Sequence, residues 1–424
     1  MSTDANGRLA WLPRHGLWRH RDFLLLWNAQ GVSAVGSRIT RTALPMAAIL
    51  VAGAGALDLG LLAVALTLPR ALFAWLGGGW VDRHRRRPVL IGTDVVRAVA
   101  LLAIPVAAWS HMLSLPLLYA IAAITGVATV LFDLADHVFI ADLVGRDQLL
   151  DANGKREAVD AVAEITGPAL GGALVAWLTA PIAIAADALT FVASALLIAR
   201  IRKEEKIIAP PAAASLLADA RTGIHVVWRD PAVRALFIAS ATMTLFGSFM
   251  ASLYTLFALR DLALTPTELG IAIGCGGIGA LAGAMTSRRA AERFGPRRTL
   301  IGSLALGAAM QVLIPLAPPV PWIAMTFLIA TQLLGDGVLT VYLINETTLR
   351  QRLLPPEALG RAAGTFQVAN GVLTPAGALV GAMLAEGIGI RPTLWLLAMG
   401  YALALVSLIL ARRSLPTRMT APHS

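Results

Sequence analysis

Ionisable side chains are scarce in this sequence, and several stand where water should be scarcer still. Of 424 residues, 14% are charged and 57% are hydrophobic. Inside long apolar runs lie Arg38, Arg41, Arg70, Asp133, Asp136, His137, Glu157, Asp160, Glu164 and Asp336. A charge in hydrocarbon is costly, so such residues face a protein interior or a wet cavity and mark functional sites by default. Carboxyl groups there are candidate proton carriers, because burial disfavours the charged form. Arginines there hold an anionic ligand or a carboxylate partner.

Glu157, Asp160, Glu164, Gly167, Pro168 and Gly171 recur at helical spacing along one face. Counted from Gly154, Glu164 lies about 15 Å along the helix axis, near mid-membrane. It reads either as a proton carrier or as half of a fixed ion pair with a membrane arginine. Glu157 stands near the surface and reads as a solvated or paired residue. Arg38 and Arg41 sit three apart and need partners, of which Asp187 is one by depth. They either bind an anionic substrate group or hold the bundle together, and Arg70 beside Pro69 carries the same two readings. Asp133, Asp136 and His137 either pair with the loop arginines or form a proton relay. Asp336, between Gly335 and Gly337, is a further candidate for coupling or substrate contact.

These residues must be positioned by membrane helices. Runs of about 20 apolar residues cross about 30 Å of hydrocarbon at about 1.5 Å per residue. They are too long for barrel strands and lack alternation. Twelve spans are expected, near 23–51, 57–80, 89–109, 115–139, 154–179, 181–201, 232–258, 269–287, 299–317, 321–344, 362–386 and 392–411. Pro45, Pro69, Pro105, Pro168, Pro315 and Pro375 interrupt them, which neighbouring helices make tolerable.

With both termini inside, 29 of the 35 Lys and Arg fall in inner loops and tails, and only Arg260 and Arg391 in outer loops. That bias fixes orientation. It also accounts for the net charge of +10 through anionic lipid, without nucleic acid. The basic start of the chain lacks a signal-peptide cleavage pattern and reads as a cytoplasmic tail. Cys275 is the single cysteine, so no intrachain disulfide forms, and no metal-binding spacing is present. A phosphate-binding loop, a His-Glu-x-x-His site and a Gly-x-Ser-x-Gly elbow are all missing, so neither an ATPase nor another enzyme is expected.

The chain repeats itself. Asp82-Arg83, Arg85-Arg86-Arg87 and Leu90 return as Glu292-Arg293, Arg297-Arg298 and Leu300 at an offset of 210, and Pro168 returns as Pro375 at 207. Two six-span halves related by weak internal symmetry are the mark of a duplicated transporter. The expected organisation is a tail at 1–22, a bundle at 23–201, a cytoplasmic linker at 202–231, a second bundle at 232–411 and a tail at 412–424. The linker carries Pro210-Pro211 and then a mildly amphipathic helix placed along the membrane surface.

On these residues the chain resembles the major facilitator superfamily. Gly78-Gly79-Trp80-Val81-Asp82-Arg83-His84-Arg85-Arg86-Arg87 is similar to the superfamily's signature between spans 2 and 3, with Arg85 where a glycine is usual. That departure is shared with macrolide-efflux and enterobactin-exporter-like proteins. Gly154, Ala163, Gly167, Pro168, Gly171 and Gly172 resemble the drug–proton antiporter signature of span 5, with Ala163 in place of a glycine. Asp94-Val-Val-Arg97-Ala98 and Leu150-Asp-Ala-Asn153 are further matches. Ser37 stands where relatives often carry an acid, and Leu134 where they carry proline.

The resemblance implies an all-α membrane protein with the major facilitator fold, twelve helices in two pseudo-symmetric bundles around a central cavity. It implies that Asp82, Arg83 and Arg86, with Gly78 and Arg87 in the same loop, lock the halves together when the protein opens outward. The expected function is proton-coupled export of a small amphipathic compound (a drug, antibiotic or siderophore-like metabolite) by alternating access. No cofactor is expected, and the partners are substrate, protons and lipid, with a monomer in the bacterial inner membrane. Import of a metabolite and a non-transporting receptor are the competing readings.

Overall fold

The computed structural model describes residues 16–203 and 216–416, leaving aside the side chains of 74–80, 82, 146 and 216–221. The tail before residue 16, the Pro210-Pro211 stretch and the last residues lie outside them. The described residues are helical almost throughout. In chain order the helices are α1 (Arg21–Leu50), α2 (Ala56–Asp82), α3 (Arg86–Trp109), α4 (Leu115–Val144), α5 (Leu149–Trp177), α6 (Ala180–Ala199) and α7 (Leu216–Arg229). There follow α8 (Pro231–Gly247), α9 (Phe249–Leu256), a π-turn at Phe257–Asp261, α10 (Pro266–Phe294), α11 (Pro296–Gln311) and α12 (Leu313–Leu316). The chain ends with α13 (Pro321–Ala330), a π-turn at Thr331–Gly335, α14 (Asp336–Leu353), α15 (Pro356–Ile388) and α16 (Ile390–Leu410).

Local chemistry sets the helix ends. The Asp230 carboxylate caps α8 by accepting from Ala232 N at 2.7 Å and Val233 N at 3.0 Å, with Pro231 at the first turn. Thr265 and Glu268 form a reciprocal capping box on α10, again ahead of a proline. Both devices satisfy amide donors that the helix itself leaves orphaned. Gly295 (φ 77°) lets α10 stop and α11 start within one residue, a backbone conformation that glycine adopts without strain.

Eleven stretches among the described residues are long and apolar enough to span a membrane. The expected first span is not one of them, although α1 has 30 residues, about 45 Å of helix. Its mean hydropathy is lowered by charges that turn inward, as the site geometry shows. The broken segments α8–α9, α11–α12 and α13–α14 each serve as one crossing. Most helices overrun the expected span ends at the terminus-bearing side, because hydropathy reads only the stretch in hydrocarbon.

The architecture is two six-helix bundles. In the first, α1 packs on α5 and α6, α3 on α4 and α6, and α2 on α4. In the second, α8 packs on α15 and α16, α10 on α14, and α11 on α14 and α16. The bundles meet along α5–α10 and α2–α15. The packing repeats with an offset of 210. Gly167 and Gly171 of α5 lie against Val35, Arg38 and Ile39 of α1, while Gly377 and Gly381 of α15 lie against Leu245, Ser248 and Phe249. Small residues at these positions let backbones approach closely. In this register Pro168 aligns with Ala378, so Pro375 sits most of a turn from strict equivalence.

Helix α7 docks on α15. Gly223 meets the Arg361 carbonyl, Val227 is buried, and Trp228 stands edge-on to Phe237, which is edge-on to Phe366 of α15.

Candidate functional site

A cavity of about 680 Å³ lies between the bundles. Its walls are Arg41 and Pro45 of α1, Leu59, Leu62, Leu66 and Thr67 of α2, Glu164 of α5, Met250 and Tyr254 of α9, and Ile273, Gly276 and Gly277 of α10. Gln332 of the π-turn and Asp336, Leu339 and Thr340 of α14 complete it. Apolar walls with a few convergent charges suit a small amphipathic ligand.

Glu164 takes both α1 arginines. Arg38 Nε donates to Glu164 Oε2 at 2.5 Å, and Arg41 donates to Oε1. Gly167 makes this possible: a Cβ there would run into the Arg38 stem, so only glycine lets Arg38 lie across α5. The ion-pair alternative for Glu164 is therefore the geometry found. Asp187 is not the partner of either arginine. It is turned to the far side of α1, where Gly36 faces it and Thr190 donates to its Oδ1 at 3.0 Å.

Asp336 opens α14 directly after the π-turn, a helix irregularity that recurs at functional sites. Its carboxylate makes no hydrogen bond or ion pair to the described residues. Adjacent glycines of α10 separate the two acids. Gly276 faces the Asp336 carboxylate, with the position of an added Cβ 3.5 Å from its Cγ, while Gly277 packs against the backbone of Glu164 and Ile165. Counting Arg38, Arg41, Glu164 and Asp336, the charges around the cavity balance when all four are ionised.

The other candidates sit elsewhere. Asp133 pairs with Arg70 at 3.2 Å, α4 to α2. Asp136 is buried, paired with Arg156 of α5 at 3.1 Å, and accepts from Gln30 at 2.5 Å. The partner of Asp136 is therefore Arg156 of α5, where a loop arginine was expected. His137 Nδ1 lies 2.6 Å from the Asp133 carbonyl, a contact within its own helix. Asp160 is half-buried and Glu157 exposed. Gly167 and Gly171 do share a face against α1, but Pro168 and Gly172 turn to α10, and Gly154 has open space around it. In the loop, Arg83 is exposed, Arg86 is buried, and Arg87 donates to the Ile198 and Ala199 carbonyls of α6. The Gly78 and Asp82 side positions lie outside the described residues.

Sequence reasoning missed Gln30, Tyr254, Gln332 and the α10 glycines. Only the last left a signal, since Gly274, Gly276, Gly277, Gly279 and Gly283 form a glycine-rich helix that announces close approach. The contacts between bundles concentrate at the end away from the termini. There Gly172 crosses Gly270, Arg260 donates to the Ala54 carbonyl at 2.8 Å, and Leu57 N donates to Glu386 Oε1 at 3.3 Å.

A family profile described as "Transmembrane secretion effector" matches residues 14–423. The chain is similar to the multidrug efflux pump Tap of Mycolicibacterium fortuitum, with 28% identity over 383 residues, 87% of this chain and 90% of that protein. It is 22% identical to macrolide efflux protein A of Streptococcus pyogenes, covering 94% and 97% of the two chains. Among solved structures, a bacterial homologue of the iron transporter ferroportin in an inward-facing state superposes with a TM-score of 0.76 at 18% identity, covering 94% of this chain and all of that one.

Proposed function

We propose that this chain, which belongs to the transmembrane secretion effector family of major facilitator transporters, exports small amphipathic compounds in exchange for protons by alternating access. That it is a multi-pass membrane transporter and not an enzyme follows from the family.

The observation that carries it is the unequal treatment of two carboxylates in one cavity. Glu164 is clamped by two guanidiniums, while Asp336 lines the same space with no ion-pair partner among the described residues. A proton and a basic amphipath compete for such a free carboxylate, and competition for one site is what exchange requires. Glu164 holds the arginines in place and relays the charge state of the cavity to α1. Apolar walls from α2 and α9 accept the hydrophobic body of the compound. The relatives named as multidrug and macrolide efflux pumps support export over import.

In this reading the protein works as a monomer in the bacterial inner membrane, with both termini inside. The cross-bundle packing then closes the outer end, and the Asp82 loop closes the inner end in the opposite state. The test is a compound-sensitivity panel in an efflux-deficient host, followed by substrate-induced proton movement in everted vesicles. Raised tolerance to one or more amphipathic compounds, with proton release from loaded vesicles on compound addition, is the expected result. Sensitivity unchanged by the protein across the panel, or compound accumulation inside cells, rejects export.

A further inference from the structure

A second pocket of about 300 Å³ lies inside the second bundle and shares Leu343 as a wall with the main cavity. Ser240 and Thr244 of α8, Tyr342 and Glu346 of α14, Asn370 of α15 and Tyr401 of α16 line it. Two of its polar groups are orphaned. The Tyr342 hydroxyl and Glu346 Oε1 are buried with no hydrogen-bond partner among the described residues, and a buried orphan calls for an explanation. Arg350 Nη1 stands 3.7 Å from that oxygen, beyond hydrogen-bond length, and its guanidinium is held over the Phe366 ring at 4.0 Å. Gly247 makes room for the Tyr401 hydroxyl, which an added Cβ would approach to 2.9 Å. Thr244 Oγ1 donates to Asn370 Oδ1 at 2.9 Å, leaving the Asn370 amide nitrogen to donate elsewhere.

The first bundle shows what these positions look like when they are filled. At the offset of 210, Tyr342, Glu346 and Tyr401 correspond to Phe132, Asp136 and Phe191. There the Arg97 guanidinium occupies the space between the two rings, and Arg156 and Gln30 close on Asp136. In the second bundle Gly307 stands where Arg97 does, Phe366 where Arg156 does, and the shorter Ser240 where Gln30 does. Both rings have gained a hydroxyl, and the acid has lost its cross-helix arginine. The same fold therefore carries a packed ionic core in one half and an open, hydrogen-bonding pocket in the other.

The chemistry of the walls selects the occupant. An anion would meet the Glu346 carboxylate. A cation would add to the charge of Arg350, which already stands by Glu346. An apolar group would leave the Tyr342 hydroxyl and Glu346 Oε1 orphaned, which is the costly outcome. Neutral hydroxyls both donate and accept, so they serve Glu346 as donors and the two tyrosines and Asn370 as acceptors. At about 30 Å³ per water in the liquid, the volume suits a group of about ten non-hydrogen atoms. We propose that this pocket binds an uncharged, hydroxyl-bearing ring of the transported compound, about the size of one sugar. The hydrophobic body then lies past Leu343 in the main cavity. This rests on the reading of the chain as a carrier of amphipathic compounds, and it names the polar end that such a compound presents.

The experiment is equilibrium binding to the full-length protein in lipid nanodiscs. The probes are radiolabelled phenyl β-glucoside and phenoxytetrahydropyran, the same skeleton stripped of its hydroxyls. Wild type, Tyr342→Phe, Tyr401→Phe and Asn370→Ala are measured side by side, each with its Tm. Wild type should prefer the glucoside about tenfold or more, and each variant should cut that preference about fivefold, in line with one lost hydrogen bond. Tyr342→Phe should not lower Tm, because its hydroxyl has no partner in the protein to lose. Should a tyrosine variant fail to fold, Asn370→Ala decides, since Asn370 is exposed to the pocket and carries little packing. Wild type binding both probes alike, or neither, overturns the proposal. So does a variant set that keeps the full preference, or one that weakens both probes equally. Direction of transport and proton coupling do not enter this readout, so rejection of export by the flux assays leaves it standing, and its failure leaves export untouched.

Discussion

Gly172 of α5 and Gly270 of α10 cross so closely that neither tolerates a side chain. A Cβ on Gly172 would stand 3.0 Å from Gly270 Cα, and a Cβ on Gly270 would stand 3.0 Å from Gly172 Cα. The obstacle on both sides is backbone, which cannot rotate away as a flexible side chain can. Gly172→Val and Gly270→Val should therefore disfavour this closure by about 1–3 kcal/mol. Transport falls about tenfold or more while membrane levels stay normal. Efflux assayed against immunoblotted membrane fractions checks it, and full activity of both variants would show that this crossing is not used in the cycle.

Glu164→Gln keeps the shape but removes the charge that holds Arg38 and Arg41. Two uncountered guanidiniums then face the cavity. The expected outcome is loss of pH-gradient-driven transport in everted vesicles with compound binding retained. Unchanged gradient-driven transport would exclude Glu164 from coupling.

For Asp336→Asn the cavity loses its one carboxylate without an ion-pair partner among the described residues. Substrate-induced proton release should disappear, and affinity for basic compounds should fall about 10-fold, in line with the loss of one charge-assisted contact. Neutral compounds should be affected less. Competition binding with a charged and an uncharged probe of similar size separates the two.

Arg156→Ala strands the buried Asp136, whose side chain is 6% exposed. Breaking one partner of a buried pair costs about 3–5 kcal/mol. A marked drop in Tm is expected, with part of the loss recovered in Arg156→Ala/Asp136→Asn. A double variant no more stable than the single one would mean that the pair contributes through shape alone.

Asp82→Asn tests the loop that the superfamily resemblance singles out. Arg86 beside it is buried and Arg87 is tied to the end of α6, so the loop is built onto the first bundle and not free in solution. Transport should be abolished with normal expression. Wild-type efflux from this variant counts against a gating role.

Much of this was legible along the chain. Apolar runs mark the twelve expected crossings, because crossing hydrocarbon demands a length and a composition that can be counted along the sequence. Charge in the loops and the 210-residue offset point to two halves for the same reason, since both are properties of linear order. The offset even locates the packing ladder, as Gly167 and Gly171 recur as Gly377 and Gly381. Glu164, Arg38, Arg41 and Asp336 were legible as exceptions, because an ionisable residue in an apolar run needs an explanation.

Pairing was not legible. Arg38 and Arg41 have Glu164 and Asp187 at comparable depths, and periodicity alone cannot say which helix lies on which face of α1. Gly167 of α5 and Gly36 of α1 decide it, by letting α5 and α6 approach two different faces of α1 closely. Sequence alone therefore determined that this is a two-times-six membrane protein with charges at mid-depth. Only the tertiary structure decided that Glu164 is held by two arginines, that Asp336 has no ion-pair partner among the described residues, and that Arg97 is paired with Asp94. Hydrophobic length is written in consecutive residues, whereas charge compensation is settled between helices far apart in the chain.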